Sequence, residues 1–192
     1  MKHLLIEAPD ACGKDTLIKN LMPHCQNLIV THFSFPEGNT DREKRKFQEE
    51  SFRREFEKSS FFLTSALFSD SSKKMNLIVW NRSHLGEFVY GNLYRQTNPE
   101  EWVLNFEDIF QYDKKDDVYL LLLTADPDFL ISKDDGLSFA ATVDARKREI
   151  ANFEGAFNMS QIKKKLKLKV DKDGNYLPQS EILNTVINFL KS

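Results

Sequence analysis

The chain has 192 residues, 41% of them apolar and 29% charged, with a formal net charge of -2. That length suffices for one full α/β domain with a sizeable core, and the composition is that of a soluble globular protein. The balance excludes a global basic field, so nucleic acid is not an expected partner. No apolar stretch is long enough to span a bilayer, so no membrane is expected either. Two cysteines, Cys12 and Cys25, make no disulfide framework and suit a reduced cytoplasm. Sixteen Phe stand against seven Gly, which hints at an aromatic-rich core or pocket without choosing between them; the count is 16 to 7.

In chain order, His3–Glu7 reads as a short buried strand. It enters directly into a phosphate-loop pattern, leaving no room for a signal peptide. Lys14–Met22 reads as a helix with Leu17, Ile18 and Leu21 on one face and a stop at Pro23. Asn27–His32 is the second strand. Asp41 to about Lys74 is long, charged and aromatic, and reads as helix with a break near Ser59–Ser60. Asn76–Trp80 is the third strand, Pro99–Tyr112 a helix, Asp117–Thr124 the fourth strand and Ala145–Phe157 a helix. Lys165–Val170 is a weaker fifth strand whose lysines and leucines alternate as on a strand with one wet face, and Ser180–Leu190 is the last helix. Strands alternating with helices argue for a parallel sheet of about five strands flanked by helices. With no repeat, low-complexity tract or linker, residues 1–192 read as one domain.

The strongest motif is Glu7-Ala8-Pro9-Asp10-Ala11-Cys12-Gly13-Lys14-Asp15-Thr16, set between a strand and a helix as a phosphate-binding loop requires. Such a loop aims backbone N–H groups and the positive end of a helix dipole at phosphate oxygens. Gly13 lets the backbone curl, the Lys14 ammonium reaches the outer phosphates, and the backbone of Ala11, Cys12, Gly13, Lys14, Asp15 and Thr16 is expected to hold ATP. The motif departs from its usual form at Ala8, where the first Gly belongs, and at Asp15, where a metal-binding hydroxyl belongs. A carboxylate is a good Mg²⁺ ligand, so Asp15 is the expected metal residue. Cys12 lies at a helix start, which can lower a thiol pKa, but a small filler is the plainer reading.

These residues, with three further stretches, make the chain resemble the thymidylate kinase family, and more closely the small kinase-like proteins of bacteriophages. The further stretches are Phe35-Pro36 after the second strand, Asn81-Arg82-Ser83-His84 with its continuation Leu85–Arg95 after the third, and Leu120–Pro127. The resemblance implies a three-layer P-loop kinase fold and transfer of phosphate from ATP, with Mg²⁺, to a deoxynucleoside monophosphate, thymidylate or a related pyrimidine. It implies that Lys14, Asp15 and Arg82 are catalytic, Arg82 binding the acceptor phosphate, for which an arginine fork suits better than a lysine. It implies that Asp10 contacts the acceptor sugar, and that Phe35, Pro36, Glu87, Tyr90, Tyr94 and Arg95 line the acceptor pocket. It places a lid at about 133–150, with Lys133, Arg146 and Arg148 as candidate cations for the donor; a solvated helix face is the competing reading for these. Tyr90 and Tyr94 also stand i, i+4, a plain helix contact. His84 is read as structural, and the ring that stacks on the base stays open among the Phe between Phe52 and Phe68.

The sequence departs from the family at Ser34 (Arg in the family), Asn81 (Asp) and Lys133 (Arg). Together with Asp15, this moves a carboxylate into the loop and removes one from the third strand. Relocation of the metal-binding charge is the expectation; decay of catalysis with the fold retained is its rival. Other functions stay open: a deoxynucleoside kinase with Glu37 as general base, a kinase of DNA, or a nucleotide-binding protein that does no chemistry. The partners expected are small-molecule nucleotides, and a homodimer is left open.

Overall fold

The computed structural model describes residues 2–33, 35–66, 74–95, 99–108, 118–136 and 138–192, with the backbone alone at 59–66 and 100. The first strand, β1 (Lys2–Glu7), is followed by α1 (Lys14–Leu21), a 3₁₀ turn at Met22–His24, and β2 (Cys25–His32). Next come α2 (Asp41–Ala66), β3 (Met75–Asn81), α3 (His84–Tyr90), a π turn (Gly91–Arg95) and α4 (Glu100–Phe106). The chain continues through β4 (Val118–Thr124), α5 (Pro127–Ser132), α6 (Val143–Met159) and β5 (Lys164–Lys169). A short hairpin, β6 (Asp171–Lys172) and β7 (Asn175–Tyr176), then leads into α7 (Gln179–Lys191).

The five long strands form one parallel sheet in the order β2-β3-β1-β4-β5. Successive side chains on a strand point to opposite faces, and here both faces are apolar. Leu4, Ile6, Leu77, Val79, Leu121 and Leu123 pack with α1, α5 and α7. Leu5, Ile78, Trp80, Leu120 and Leu122 pack on the other side with α2, α3, α4 and α6. That second layer holds much of the aromatic excess, including Phe52, Phe56, Trp102, Phe106 and Phe153. β5 is one of the two edge strands, half wet, as the alternating lysines suggest. Its Lys165 donates to the carbonyls of Phe157 and Ser160 at the end of α6, where a cation suits the helix dipole.

Two expectations change. Helix α2 runs through Ser59–Ser60 without the expected break. A serine in a helix interior costs only about 0.5 kcal/mol against alanine, too little to interrupt a long helix. The hairpin after β5 was not expected; its turn carries Asp173 and Gly174, both at positive φ, the pattern of a tight hairpin. Residues 67–73 and 109–112 of the expected helices, and Asp117, lie outside the described residues, as does Ser34. Among the described residues no helix is long and apolar enough to cross a membrane.

β1 lies between β3 and β4, so the chain leaves it toward one edge and later returns on its other side. Beyond the carboxyl ends of strands at such a reversal lies the crevice that parallel sheets offer to ligands. Glu7, Asn81 and Arg82 stand at that edge.

Candidate active site

The loop after β1 gets its shape from two left-handed residues, Ala11 at φ 64° and Gly13 at φ 78°. Successive turns of this kind curl backbone N–H groups into a concave anion site. Gly13 also caps α1, its carbonyl accepting from the N–H of Leu17 at 3.0 Å. Ala8, where the usual motif has glycine, is packed into the core with Leu4 and Ile6. Cys12 is buried, and desolvation pushes its thiol up to about 12, which makes it a filler rather than a nucleophile.

Lys14, Asp15 and Thr16 line a cleft of about 490 Å³, together with Asp10 and Arg82. Burial lowers the pKa of Lys14, and the nearby charge of Arg82 lowers it further. Asp15 meets the third strand directly: the Asn81 amide donates to its Oδ1 at 2.7 Å, and Asn81 Nδ2 also lies 3.3 Å from His32 Nδ1. The two departures from the usual pattern are therefore one contact. An exposed carboxylate is held by one oxygen, and its other oxygen is left for a cation. Among the described residues no group of three or more His, Cys, Asp and Glu could hold a metal. One carboxylate on the cleft, Asp15, is a donor that Mg²⁺ can use, since this ion is commonly held by one or two carboxylates plus phosphates and water.

Arg82 turns the chain out of β3 in a left-handed conformation, φ 66°, with its N–H on the carbonyl of Ile6 at 3.0 Å. Its guanidinium pairs with Asp10 and lies 5.0 Å from the centre of the Tyr90 ring. Glu7 supports this turn from below. Its Oε1 accepts from the N–H of Ser83 at 2.8 Å and from the Ser83 hydroxyl. Burial raises the Glu7 pKa, and its Oε2 closes the space over Gly86: a Cβ there would lie 3.2 Å from that oxygen.

On the far side of Arg82 is a smaller pocket, about 100 Å³, whose walls include Phe33, Pro36, Gln48, Glu87, Tyr90 and Arg95. Glu87 and Arg95 pair along one of its walls at 2.5 Å, and desolvation raises the Glu87 pKa. Phe35 and Phe139 stand edge-on with ring centres 6.2 Å apart, and they are 68% and 55% exposed. Phe35, Phe139 and Arg82 line both the pocket and the cleft, so the two cavities meet at these three side chains.

No family model and no curated protein matches this chain. Solved structures do. The YorR protein of Bacillus subtilis, in complex with phosphorylated GDP, superposes with a TM-score of 0.63 at 16% identity, covering 99% of this chain and 96% of that one. Thymidylate kinase from Candida albicans, described as having broad substrate specificity, gives 0.64 at 13% identity, covering 99% and 91%. The fold is that of the P-loop nucleotide kinases.

On this kinase fold the residues expected from sequence divide. Asp10, Ala11, Gly13, Lys14, Asp15, Thr16, Arg82 and Lys133 come together at the cleft; Phe35, Pro36, Arg82, Glu87, Tyr90 and Arg95 come together at the pocket. Tyr94 stands behind the pocket, stacked on Tyr90 at 5.9 Å and on Phe139 at 5.0 Å. Arg146 is not at the cleft surface. It is 0% exposed and bonds Glu149 Oε2 at 2.6 Å and Asp134 Oδ2 at 3.0 Å, tying the segment after α5 to α6. Arg148 is exposed and lines neither cavity, and the same holds for Glu37. His84 is buried against Glu107 at 2.9 Å, bracing α3 on α4 as the structural reading expects. Phe52 and Phe56 are buried; Phe68 and the side chains of Phe61 and Phe62 lie outside what is described.

Sequence reasoning missed Glu7, Glu149, Phe139 and Tyr176. Glu7 had a signal, since a carboxylate closing a buried strand must find a partner. Tyr176 had one in the Asp173-Gly174 turn beside it. Phe139 and Glu149 carried none, because only the fold brings them to Tyr90.

Proposed function

We propose that this protein is an ATP- and Mg²⁺-dependent deoxynucleoside monophosphate kinase whose acceptor is thymidylate or a related pyrimidine. The observation that supports it is the meeting of a phosphate-loop cleft and an aromatic pocket at Arg82. A cation at that junction can hold an acceptor phosphate facing the end of a donor triphosphate. The cleft suits the donor, the pocket the acceptor's sugar and base. The choice of a pyrimidine, and the phage-type relationship, rest on the resemblance in Leu85–Arg95.

Phosphoryl transfer asks the protein for in-line positioning and charge neutralisation rather than covalent help. Lys14 and the loop N–H groups hold the outer donor phosphates. Asp15, aligned by Asn81, would hold Mg²⁺, which when bound would neutralise charge on the donor phosphates. Arg82, steadied by Asp10 and the Tyr90 ring, holds the acceptor phosphate. Glu87 and Arg95 offer an acceptor and donors along one wall, an arrangement suited to the edge of a base. A phosphate acceptor needs no general base, which agrees with the exposed position of Glu37.

The test is a panel of deoxynucleosides and their monophosphates with ATP and Mg²⁺, with detection of the diphosphate. Thymidylate turnover that Arg82→Ala lowers by about 10²-fold in kcat/KM is the expected result. Phosphorylation of thymidine but not thymidylate would overturn the monophosphate reading.

A further inference from the structure

Tyr176 closes β7, and its hydroxyl donates to the carbonyl oxygen of Ala11 at 2.5 Å. Ala11 is not a glycine, yet it sits at φ 64°, where its Cβ crowds the following carbonyl. The peptide bonds of the described residues are all trans. Across a trans peptide the carbonyl of one residue and the N–H of the next point in opposite directions. Holding the Ala11 carbonyl therefore sets the direction of the Cys12 N–H.

Tyr176 is itself well held. Asp173 and Gly174, at φ 51° and 74°, make the tight turn that folds Tyr176 back opposite Asp171. The N–H of Leu177, next in the chain, donates to the carbonyl of Val170 at 2.8 Å. Phe129 meets the Tyr176 ring edge-on at 4.7 Å. The tyrosine also lines the donor cleft, so its bond to the loop lies at the site rather than behind it.

We propose that Tyr176 is a positioning residue for the phosphate donor. Its hydroxyl locks the Ala11–Cys12 peptide, and with it the direction of the Cys12 N–H, in the loop that would receive the donor phosphates. It stabilises at position 11 a conformation that glycine would adopt unaided. The proposal rests on the donor-site reading of the cleft.

The experiment is calorimetric titration of MgATP into three proteins: the parent, Tyr176→Phe and Tyr176→Phe/Ala11→Gly. Phenylalanine keeps the ring on Phe129 and removes only the hydroxyl. The single variant is expected to bind MgATP about five- to tenfold more weakly, the scale of one hydrogen bond, with its melting temperature lowered by no more than about 2–4 °C. The double variant is expected to regain most of that loss, because glycine takes a positive φ without crowding. Tyr176→Phe binding as tightly as the parent overturns the proposal, and so does a loss that Ala11→Gly does not recover. Failure of the parent itself to bind MgATP overturns the donor-site reading, and the proposal with it. The two failures are thus read from different proteins.

Discussion

The phosphate-loop cleft and the aromatic pocket, the proposed donor and acceptor sites, share three side chains and are otherwise built in opposite ways. The cleft is centred on one loop, Asp10–Thr16, whose shape comes from backbone turns at Ala11 and Gly13. The pocket is assembled from side chains of β3's exit, α2, α3, the π turn and the segment after α5. Backbone N–H groups meet any phosphate in the same way, so a cleft made of them binds a class of ligand. A pocket made of side chains from scattered segments can discriminate one ligand from another, and each of its walls can change separately. The difference predicts that changes on the donor side abolish chemistry, whereas changes on the acceptor side alter which substrate is used.

The largest effect should come from Lys14→Ala. Its ammonium is the loop's one side-chain charge for the outer phosphates, and turnover should fall about 10²–10³-fold, the usual loss for one donor to developing charge. The fold should survive, since removing this cation relieves its desolvation cost. Turnover near that of the parent would break the donor assignment. Arg82→Ala should cost about 10²-fold in kcat/KM for the acceptor, because a charge-assisted contact to phosphate is lost where both cavities meet. Calorimetry should show donor affinity changed much less; an equal loss of both would mean that Arg82 serves the donor.

Asp15→Ala should raise the Mg²⁺ concentration for half-maximal rate by about tenfold, the scale of one lost carboxylate contact. The sharper experiment exchanges the pair. Asp15→Ser with Asn81→Asp returns the carboxylate to β3 and a hydroxyl to the loop, and it should recover most of the rate lost in Asp15→Ala. A Mg²⁺ titration unchanged in Asp15→Ala would favour decay of catalysis over relocation.

Phe139→Ala should raise the acceptor KM by about three- to tenfold, the value of one aromatic contact, and change ATP binding less, since Phe139 lines both cavities. Since Phe139 is largely exposed, the melting temperature should not fall. The smallest effect concerns protons. Burial and Arg82 depress the Lys14 pKa in the free protein, so the ammonium is lost at a lower pH than in an ordinary lysine. A bound phosphate favours the charged form and raises the pKa again. MgATP binding at alkaline pH should therefore take up protons, a change visible in calorimetry as a dependence on buffer ionisation enthalpy.

The sequence by itself determined the parallel sheet, because strands buried on both faces must be short apolar runs, as His3–Glu7 and Val118–Thr124 are. It also placed the Asp10–Thr16 loop between β1 and α1, because those residues are consecutive and their shape is set by local backbone conformation. The tertiary structure decided what depends on distance in space. Asp15 and Asn81 are 66 positions apart, and only the adjacency of β1 and β3 makes their two departures a single hydrogen bond. The same holds for Phe139 beside Phe35, and for Tyr176 on Ala11, 165 positions away. It decided against a cleft position for Arg146 as well: a charged residue on a helix reads as exposed, yet two carboxylates let this one be buried. Periodicity records which face of an element is apolar. It does not record which elements become neighbours, and the aromatic pocket joins the Arg82–Arg95 stretch to Phe33, Gln48, Phe52 and Phe139, which only the fold brings beside it.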